Sequence, residues 1–353
     1  MDCNIIYSAD IAAALQQAIS DIRPDRCLLL CDDTTQRLCL PLLGDTGRQL
    51  PVVTIGSTDS NKTLQSLTHV WQEMQQAGAT RHSLLVNLGG GMVTDLGGFA
   101  ASTFKRGLHF VNIPTTLLAM VDASVGGKTG INFGSLKNEL GVFRNADCVI
   151  IDTSFLGTMD RSNMLSGYAE MLKHGLINSD KAMLAQLLTF DIEQPDLGLL
   201  QQMVRQSVAV KQRIVLEDPL EQGLRKALNL GHTAGHAFES WSLARSSSKG
   251  GTPMLHGYAV AYGLVVELYL SVVKAGFPTH RLRQLTTFVR EHYGRADITC
   301  HDYPQLLSLM RHDKKNVGTS INFTLLSDVG QLLINQTATE DEISEALDFY
   351  REG

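Results

Sequence analysis

Five short apolar runs punctuate the first half of the chain: Cys27–Cys31, Pro51–Ile55, Ser83–Leu88, Phe110–Ile113 and Cys148–Ile151, each bounded by Gly, Pro, Asp or Asn. Helix-like stretches such as Lys62–Ala77 and Leu96–Thr103 lie between them. Strands interleaved with helices predict a mostly parallel, helix-covered sheet, whose ligands bind beyond the carboxyl ends of the strands. From about Ser154 the spacing turns helical over longer spans: Asn163–Ile177, Lys181–Phe190, Leu197–Leu216, Ala227–Trp241, Ala259–Val273 and Thr279–Tyr293. One late segment, Ser320–Asn335, has apolar runs on either side of Ser327-Asp328-Val329-Gly330 and predicts a hairpin. With 353 residues, two domains are the default expectation. The change of pattern puts the boundary near Asp152–Ser154, giving an α/β domain over residues 1–153 and a mainly helical domain over 154–353. Ser246–Gly251, low in side-chain bulk, is expected to be a mobile loop.

Composition narrows the class. An apolar share of 44% and a charged share of 19% belong to an ordinary globular protein. Thirty basic against thirty-six acidic residues give −6, which argues against a nucleic-acid or anionic-membrane partner but leaves room for a local basic pocket. No basic segment followed by an apolar run opens the chain, and no uninterrupted apolar stretch suggests a membrane-spanning helix. Six cysteines without a C-x-x-C pair predict reduced, mostly buried thiols and a cytoplasmic location.

Four polar groupings carry the chemistry. The run Leu84–Leu88 leads into Gly89-Gly90-Gly91 and then Thr94-Asp95-Leu96-Gly97-Gly98, where backbone N–H groups and a helix N-terminus could approach a phosphate closely. The spacing is not G-x-G-x-x-G, and a tight structural turn would use the same glycines. After the next strand, Thr115, Thr116, Asp122, Ser124, Gly126-Gly127-Lys128-Thr129, Asn132, Lys137 and Asn138 gather where a doubly wound sheet binds its substrate. The first glycine of a nucleoside-triphosphate loop is absent, because Asp122 stands there. In the helical half, Glu170, His232, His236 and His256 could supply one carboxylate and two imidazoles, a common arrangement around catalytic zinc. His232 and His236 share a helical face, and spacing leaves open which is a ligand. Lys173, Lys211, Arg225 and the pair Lys314-Lys315 could bind a phosphate or carboxylate, or line a solvated face.

In order and spacing these segments resemble the 3-dehydroquinate synthase family from about Asp59 to Gly330. The most specific stretches are Gly89–Gly91 with Asp95, Pro114–Asn132, Lys137-Asn138, Glu170 with Lys173, Leu228–His236, Leu255-His256-Gly257 and Asp313-Lys314-Lys315. The resemblance implies a dinucleotide-binding first domain and a metal- and substrate-binding second one. Glu170, His232 and His256 would hold one divalent metal, Zn²⁺ or Co²⁺, while His236 faces the substrate. Asp122, Lys128, Asn138, Lys173, Lys211, Arg225, Asn229 and Lys314 or Lys315 would line the substrate, with Arg106 reaching its phosphate from the neighbouring subunit of a homodimer. Of these, His236, Lys128, Lys173 and Asn138 are the expected catalytic residues. Gly90, Gly91, Asp95, Thr115, Thr116 and Lys137 would hold NAD, together with Asp59 and Lys62, which stand where the family has an E-x-x-K loop.

The implied reaction converts a phosphorylated sugar acid, 3-deoxy-D-arabino-heptulosonate 7-phosphate, into 3-dehydroquinate and phosphate, with NAD reduced and reoxidised within one turnover. Other sugar phosphate cyclases, acting on sedoheptulose 7-phosphate or glucose 6-phosphate, and a metal-dependent polyol dehydrogenase are the neighbouring possibilities; a non-catalytic NAD-binding relative is a further one. Substrates of the other cyclases lack the carboxylate that Arg225 and Asn229 would meet. One departure is Tyr258, where many members carry a glutamate after the His-Gly pair.

Overall fold

In a computed structural model, which describes residues 4–134, 136–312 and 321–353, all five predicted strands form. They are β2 (Cys27–Asp32), β3 (Val52–Ile55), β4 (Leu84–Gly89), β5 (His109–Pro114) and β8 (Cys148–Ile151); β1 (Ile5–Tyr7) is an addition. Together they make one six-stranded sheet in the order β1-β8-β5-β4-β2-β3. Every pairing in it is parallel. β4 is buried at all six positions, as a central strand covered on both faces requires. Nothing in the sequence marks β1, because three half-buried residues at a sheet edge carry no periodicity.

The polar stretch after β5 is partly strand. Lys128–Phe133 (β6) and Leu136–Phe143 (β7) pair as an antiparallel ribbon. Gly130 and Gly141 face each other there, and a Cβ on Gly141 would lie 2.1 Å from the Thr129 carbonyl oxygen. Polar and glycine-rich composition hides this ribbon from pattern reading, because cross-strand pairing supplies its order.

The chain divides into two compact units, residues 1–160 with 197–204, and residues 161–196 with 205–353. In the second, the helices Arg161–Ile177, His232–Lys249, His256–Ala275, Thr279–Tyr293 and Glu340–Glu352 surround a shared core. The expected hairpin is β9 (Asn322–Asp328) with β10 (Gln331–Thr337), turning at Gly330, whose φ is +76°. Against the expectation of no such helix, His256–Ala275 is long and apolar enough to span a membrane. It is mostly buried inside the protein and carries the fully buried Glu267, so its hydrophobicity serves the core.

Two helix boundaries differ from expectation. The helix sought over Ala227–Trp241 begins at His232, after a 3₁₀ segment over Leu224–Asn229, because Gly231 takes φ +78° and breaks the run. It then continues through the supposed Ser246–Gly251 loop as far as Lys249. Ser247 and Ser248 donate their hydroxyls to the carbonyls of Leu243 and Arg245, so they follow the helix instead of ending it. Among the described cysteines, Cys31, Cys39 and Cys148 are buried and Cys300 is exposed; burial pushes the Cys27 thiol up to about 12.

Candidate active site

In the first unit, the carboxyl ends of β4 and β5 lie side by side, next to the point between β2 and β4 where strand order changes direction. Gly89 pairs with Pro114, and the Thr115 N–H donates to the Gly89 carbonyl at 3.0 Å. Gly90 precedes the helix Gly91–Thr103. A Cβ on Gly90 would sit 3.2 Å from Thr116 Cγ2, and one on Gly91 would sit 3.0 Å from Ala123 Cβ. Glycine thus lets the helix N-terminus reach this edge, where backbone N–H groups suit an anion.

Beside it a polar network joins residues far apart in sequence. Lys62, 3% exposed, donates to Asp95 Oδ2 at 2.5 Å and to Asn138 Oδ1. The Asn138 N–H donates to Asn132 Oδ1 at 2.9 Å, Asn132 donates to Asp59 at 3.2 Å, and Lys137 Nζ lies 3.5 Å from Asp59. Five of the expected residues (Asp59, Lys62, Asp95, Lys137 and Asn138) therefore meet in one network. Asn132 bridges it, a role its sequence context did not signal. Asn138 enters this group at φ +52°, alongside residues expected for the nucleotide. Asp122 lies in a π-helical turn over Ala119–Ala123, and Lys128 opens β6 with an exposed side chain.

Arg106 is exposed in a turn where Lys105 and Arg106 take φ of +48° and +69° before Gly107. Two consecutive non-glycine residues in this region cost about 1–3 kcal/mol each and persist only when their surroundings enforce them. Here Lys105 Nζ donates to the Ala79 carbonyl and Arg144 to the Leu108 carbonyl, both at 2.7 Å.

In the second unit, three helices converge on a carboxylate. Glu170 is fully buried on Arg161–Ile177. Its Oε1 is 3.4 Å from His232 Nε2 and 3.2 Å from His256 Nε2, and the three candidate ligand atoms all lie within 4.8 Å of one another. His236 stands one turn after His232, its ring centroid 5.4 Å from that of His232 and 6.2 Å from that of His256. Lys173, one turn along from Glu170 and 1% exposed, pairs with Glu170 Oε2.

Close helix packing makes this geometry possible. A Cβ on Gly257 would lie 1.9 Å from the Ser166 carbonyl oxygen, and one on Gly263 would lie 2.0 Å from that of Gly231. Ser166 also accepts the Gly257 N–H through its hydroxyl, at 3.0 Å. Buried Glu267 accepts the Gly231 and Ala234 N–H groups at 2.7 and 3.0 Å. It caps the helix that carries His232 and His236.

The donor set suits a divalent cation. A carbonyl can only accept, so His232 Nδ1, 3.1 Å from the Leu230 carbonyl, carries a proton and turns Nε2 toward Glu170. Glu239 Oε2 lies 3.4 Å from His256 Nδ1 and does the same for the second ring. Burial opposes charge on Glu170, but Lys173 and the two histidines outweigh it and hold the carboxyl well below its usual range. Burial likewise opposes a charged His256, yet Glu170 and Glu239 bring its pKa up to about 10. Charge concentrated this deep marks the cluster as a candidate functional site.

Arg225 donates to the Pro219 carbonyl at 2.7 Å, and Asn229 donates to Glu221 Oε1 at 2.9 Å, so both are anchored just ahead of Gly231. Lys211 is buried on the helix Leu197–Glu217. Lys314 and Lys315 lie outside the described residues. Tyr258 packs edge-on against Tyr293, with centroids 5.1 Å apart. Glu239 and Glu267 went unremarked in the sequence; Glu239 has a readable signal, since it continues the His232–His236 face at i+7.

A parallel nucleotide-type sheet and a buried carboxylate–imidazole cluster define a class, the two-domain enzymes that pair a dinucleotide fold with a helical domain. Solved structures of this fold include 2-deoxy-scyllo-inosose synthase (TM-score 0.85, 23% identity, covering 99% of this chain and 97% of that one). The 2-epi-5-epi-valiolone synthase of Streptomyces hygroscopicus subsp. jinggangensis has a TM-score of 0.82 at 24% identity, covering 100% of this chain and 97% of its own. The family models for the N-terminal and C-terminal parts of 3-dehydroquinate synthase match residues 52–166 and 167–316. A 3-dehydroquinate synthase of Parabacteroides distasonis is 51% identical over 350 residues, 99% of this chain and 98% of the relative. That of Pyrococcus abyssi is 34% identical, covering 96% of each. The chain belongs to the 3-dehydroquinate synthase family.

Proposed function

We propose that this chain converts 3-deoxy-D-arabino-heptulosonate 7-phosphate to 3-dehydroquinate and phosphate, as a phosphate-eliminating lyase of the shikimate pathway to aromatic amino acids. The observation that carries the reading is the meeting of His232 Nε2 and His256 Nε2 at one Glu170 oxygen, at 3.4 and 3.2 Å, in a member of this family. Glu170, His232 and His256 would hold Zn²⁺ or Co²⁺. Gly90, Gly91, Asp95, Thr115, Thr116, Asp59, Lys62 and Lys137 would hold NAD, in the cytoplasm. When bound, the cation supplies Lewis acidity at a substrate oxygen and the nicotinamide supplies a hydride acceptor.

The chain's own groups orient the substrate and balance its charge. Arg225, tethered at the Pro219 carbonyl, presents a guanidinium that matches a carboxylate, and Asn229 adds a polar contact one turn later. Lys173 keeps Glu170 ionised, so the carboxylate remains a donor instead of taking a proton. His236 exchanges a proton with the substrate through an imidazole nitrogen. Asp122, Lys128, Lys211 and Asn138 bind the remaining polar groups.

The test supplies the heptulosonate phosphate with sub-stoichiometric NAD⁺ and Zn²⁺ or Co²⁺, and follows phosphate and 3-dehydroquinate together. Equal release of both with no accumulating NADH is expected, and a chelator should stop it. Stoichiometric NADH, or faster turnover of sedoheptulose 7-phosphate, would replace this reading with a dehydrogenase or another cyclase.

The same proposal makes the protein a homodimer, joined through the β6–β7 ribbon. All eight positions of β7 are exposed, and Phe133, Leu136 and Phe143 remain 53%, 55% and 58% accessible. An exposed apolar strand of this kind readily pairs with a second copy. Light scattering should give twice the chain mass for the wild type and the single-chain mass for a Leu140→Lys, Phe143→Lys variant. A dimer unaffected by both substitutions would remove the ribbon from the interface.

A further inference from the structure

We propose that Glu239 is a positioning residue for the cation site, fixing the His256 imidazole and strengthening it as a ligand; this rests on the metal reading above. The two proposed imidazole ligands are supported differently. Both histidines open their helices, but the His232 side chain is only 11% exposed, and its Nδ1–H meets a backbone carbonyl that no substitution removes. The His256 side chain is 30% exposed. The Gly257–Ser166 contact fixes where its helix starts, but that backbone contact does not itself orient the imidazole ring.

What holds His256 is a pair of carboxylates on opposite edges, Glu170 Oε1 at 3.2 Å from Nε2 and Glu239 Oε2 at 3.4 Å from Nδ1. A carboxylate at Nδ1 places the proton there and leaves Nε2 as the donor atom. Its charge also raises the electron-donating strength of the ring, which a neutral carbonyl does less. Glu239 is 15% exposed and follows His232 and His236 on the same helix face, so the backbone that carries one ligand orients the other. Groups in this position commonly change metal affinity 10–100-fold.

The experiment measures Zn²⁺ and Co²⁺ affinity by chelator competition, with the visible absorption of the Co²⁺ form, for the wild type, Glu239→Ala, Glu239→Gln and His256→Ala. The melting temperature of each metal-stripped protein controls for folding. One cation per wild-type chain is expected, with about 10–100-fold weaker binding and an altered Co²⁺ spectrum in Glu239→Ala. Glu239→Gln, whose amide oxygen can still accept the Nδ1–H, should recover part of the loss. Metal-stripped melting temperatures should match the wild type for both Glu239 variants. Wild-type affinity and spectrum in Glu239→Ala would overturn the proposal, as would a loss of binding that merely follows a lowered melting temperature. A wild-type chain that retains no cation would instead overturn the metal reading itself.

Discussion

Gly257→Ala is expected to lose cation binding, turnover and about 3 kcal/mol or more of stability, although it adds one methyl group. Overpacked cores usually cost about 1–3 kcal/mol because side chains can move aside. At Gly257 the obstacle is backbone, since the new Cβ would lie 1.9 Å from the Ser166 carbonyl oxygen, 2.5 Å from its carbonyl carbon and 2.5 Å from its Cα. The helices Arg161–Ile177 and His256–Ala275 must separate, and separation moves Glu170 away from His256. Gly157 is the control: a Cβ there meets nothing within 4 Å, so Gly157→Ala should stay within about 0.5 kcal/mol of wild type. Denaturant titration and metal analysis read both outcomes. A Gly257→Ala protein that keeps its cation at wild-type stability would show that the helix contact does not set the site.

Glu170→Ala should destabilise the protein by about 3–5 kcal/mol and abolish cation binding, because it leaves the Lys173 ammonium buried with its carboxylate partner gone. The double variant Glu170→Leu, Lys173→Met separates the two effects. Replacing a buried ion pair by apolar groups of similar size is often neutral or stabilising, so most of the stability should return while cation binding and turnover stay lost. If the double variant were as unstable as the single one, the buried charge would not explain the loss. If Glu170→Ala kept its cation, the carboxylate would not be a ligand.

The strands of the sheet were readable because each is a short apolar run bounded by residues that end strands, the pattern that burial on both faces demands. The β6–β7 ribbon was not, since Lys128, Asn132, Lys137 and Asn138 suit a loop as well as a strand. Pairing of Ile131 with Leu140 and Thr129 with Val142 decides between them. The helix starting at His232 was misplaced at its beginning for a related reason. Gly231 stops the helical run through a positive φ, and its approach to Leu264 and Gly263 becomes visible once a neighbouring helix is present.

By itself the order of residues along the chain determined the sheet class, the helical second half and the family, because periodicity and spacing are properties of one dimension. It also brought Glu170, His232 and His256 into consideration, but as three residues among several with suitable chemistry. Only tertiary packing decided that one Glu170 oxygen faces both Nε2 atoms, that Lys173 neutralises it, and that Glu239 and Glu267 support the imidazoles. These relations depend on how closely three helices approach. That distance is set by bare glycine backbones at 257 and 263 meeting carbonyls nearly a hundred and about thirty residues away.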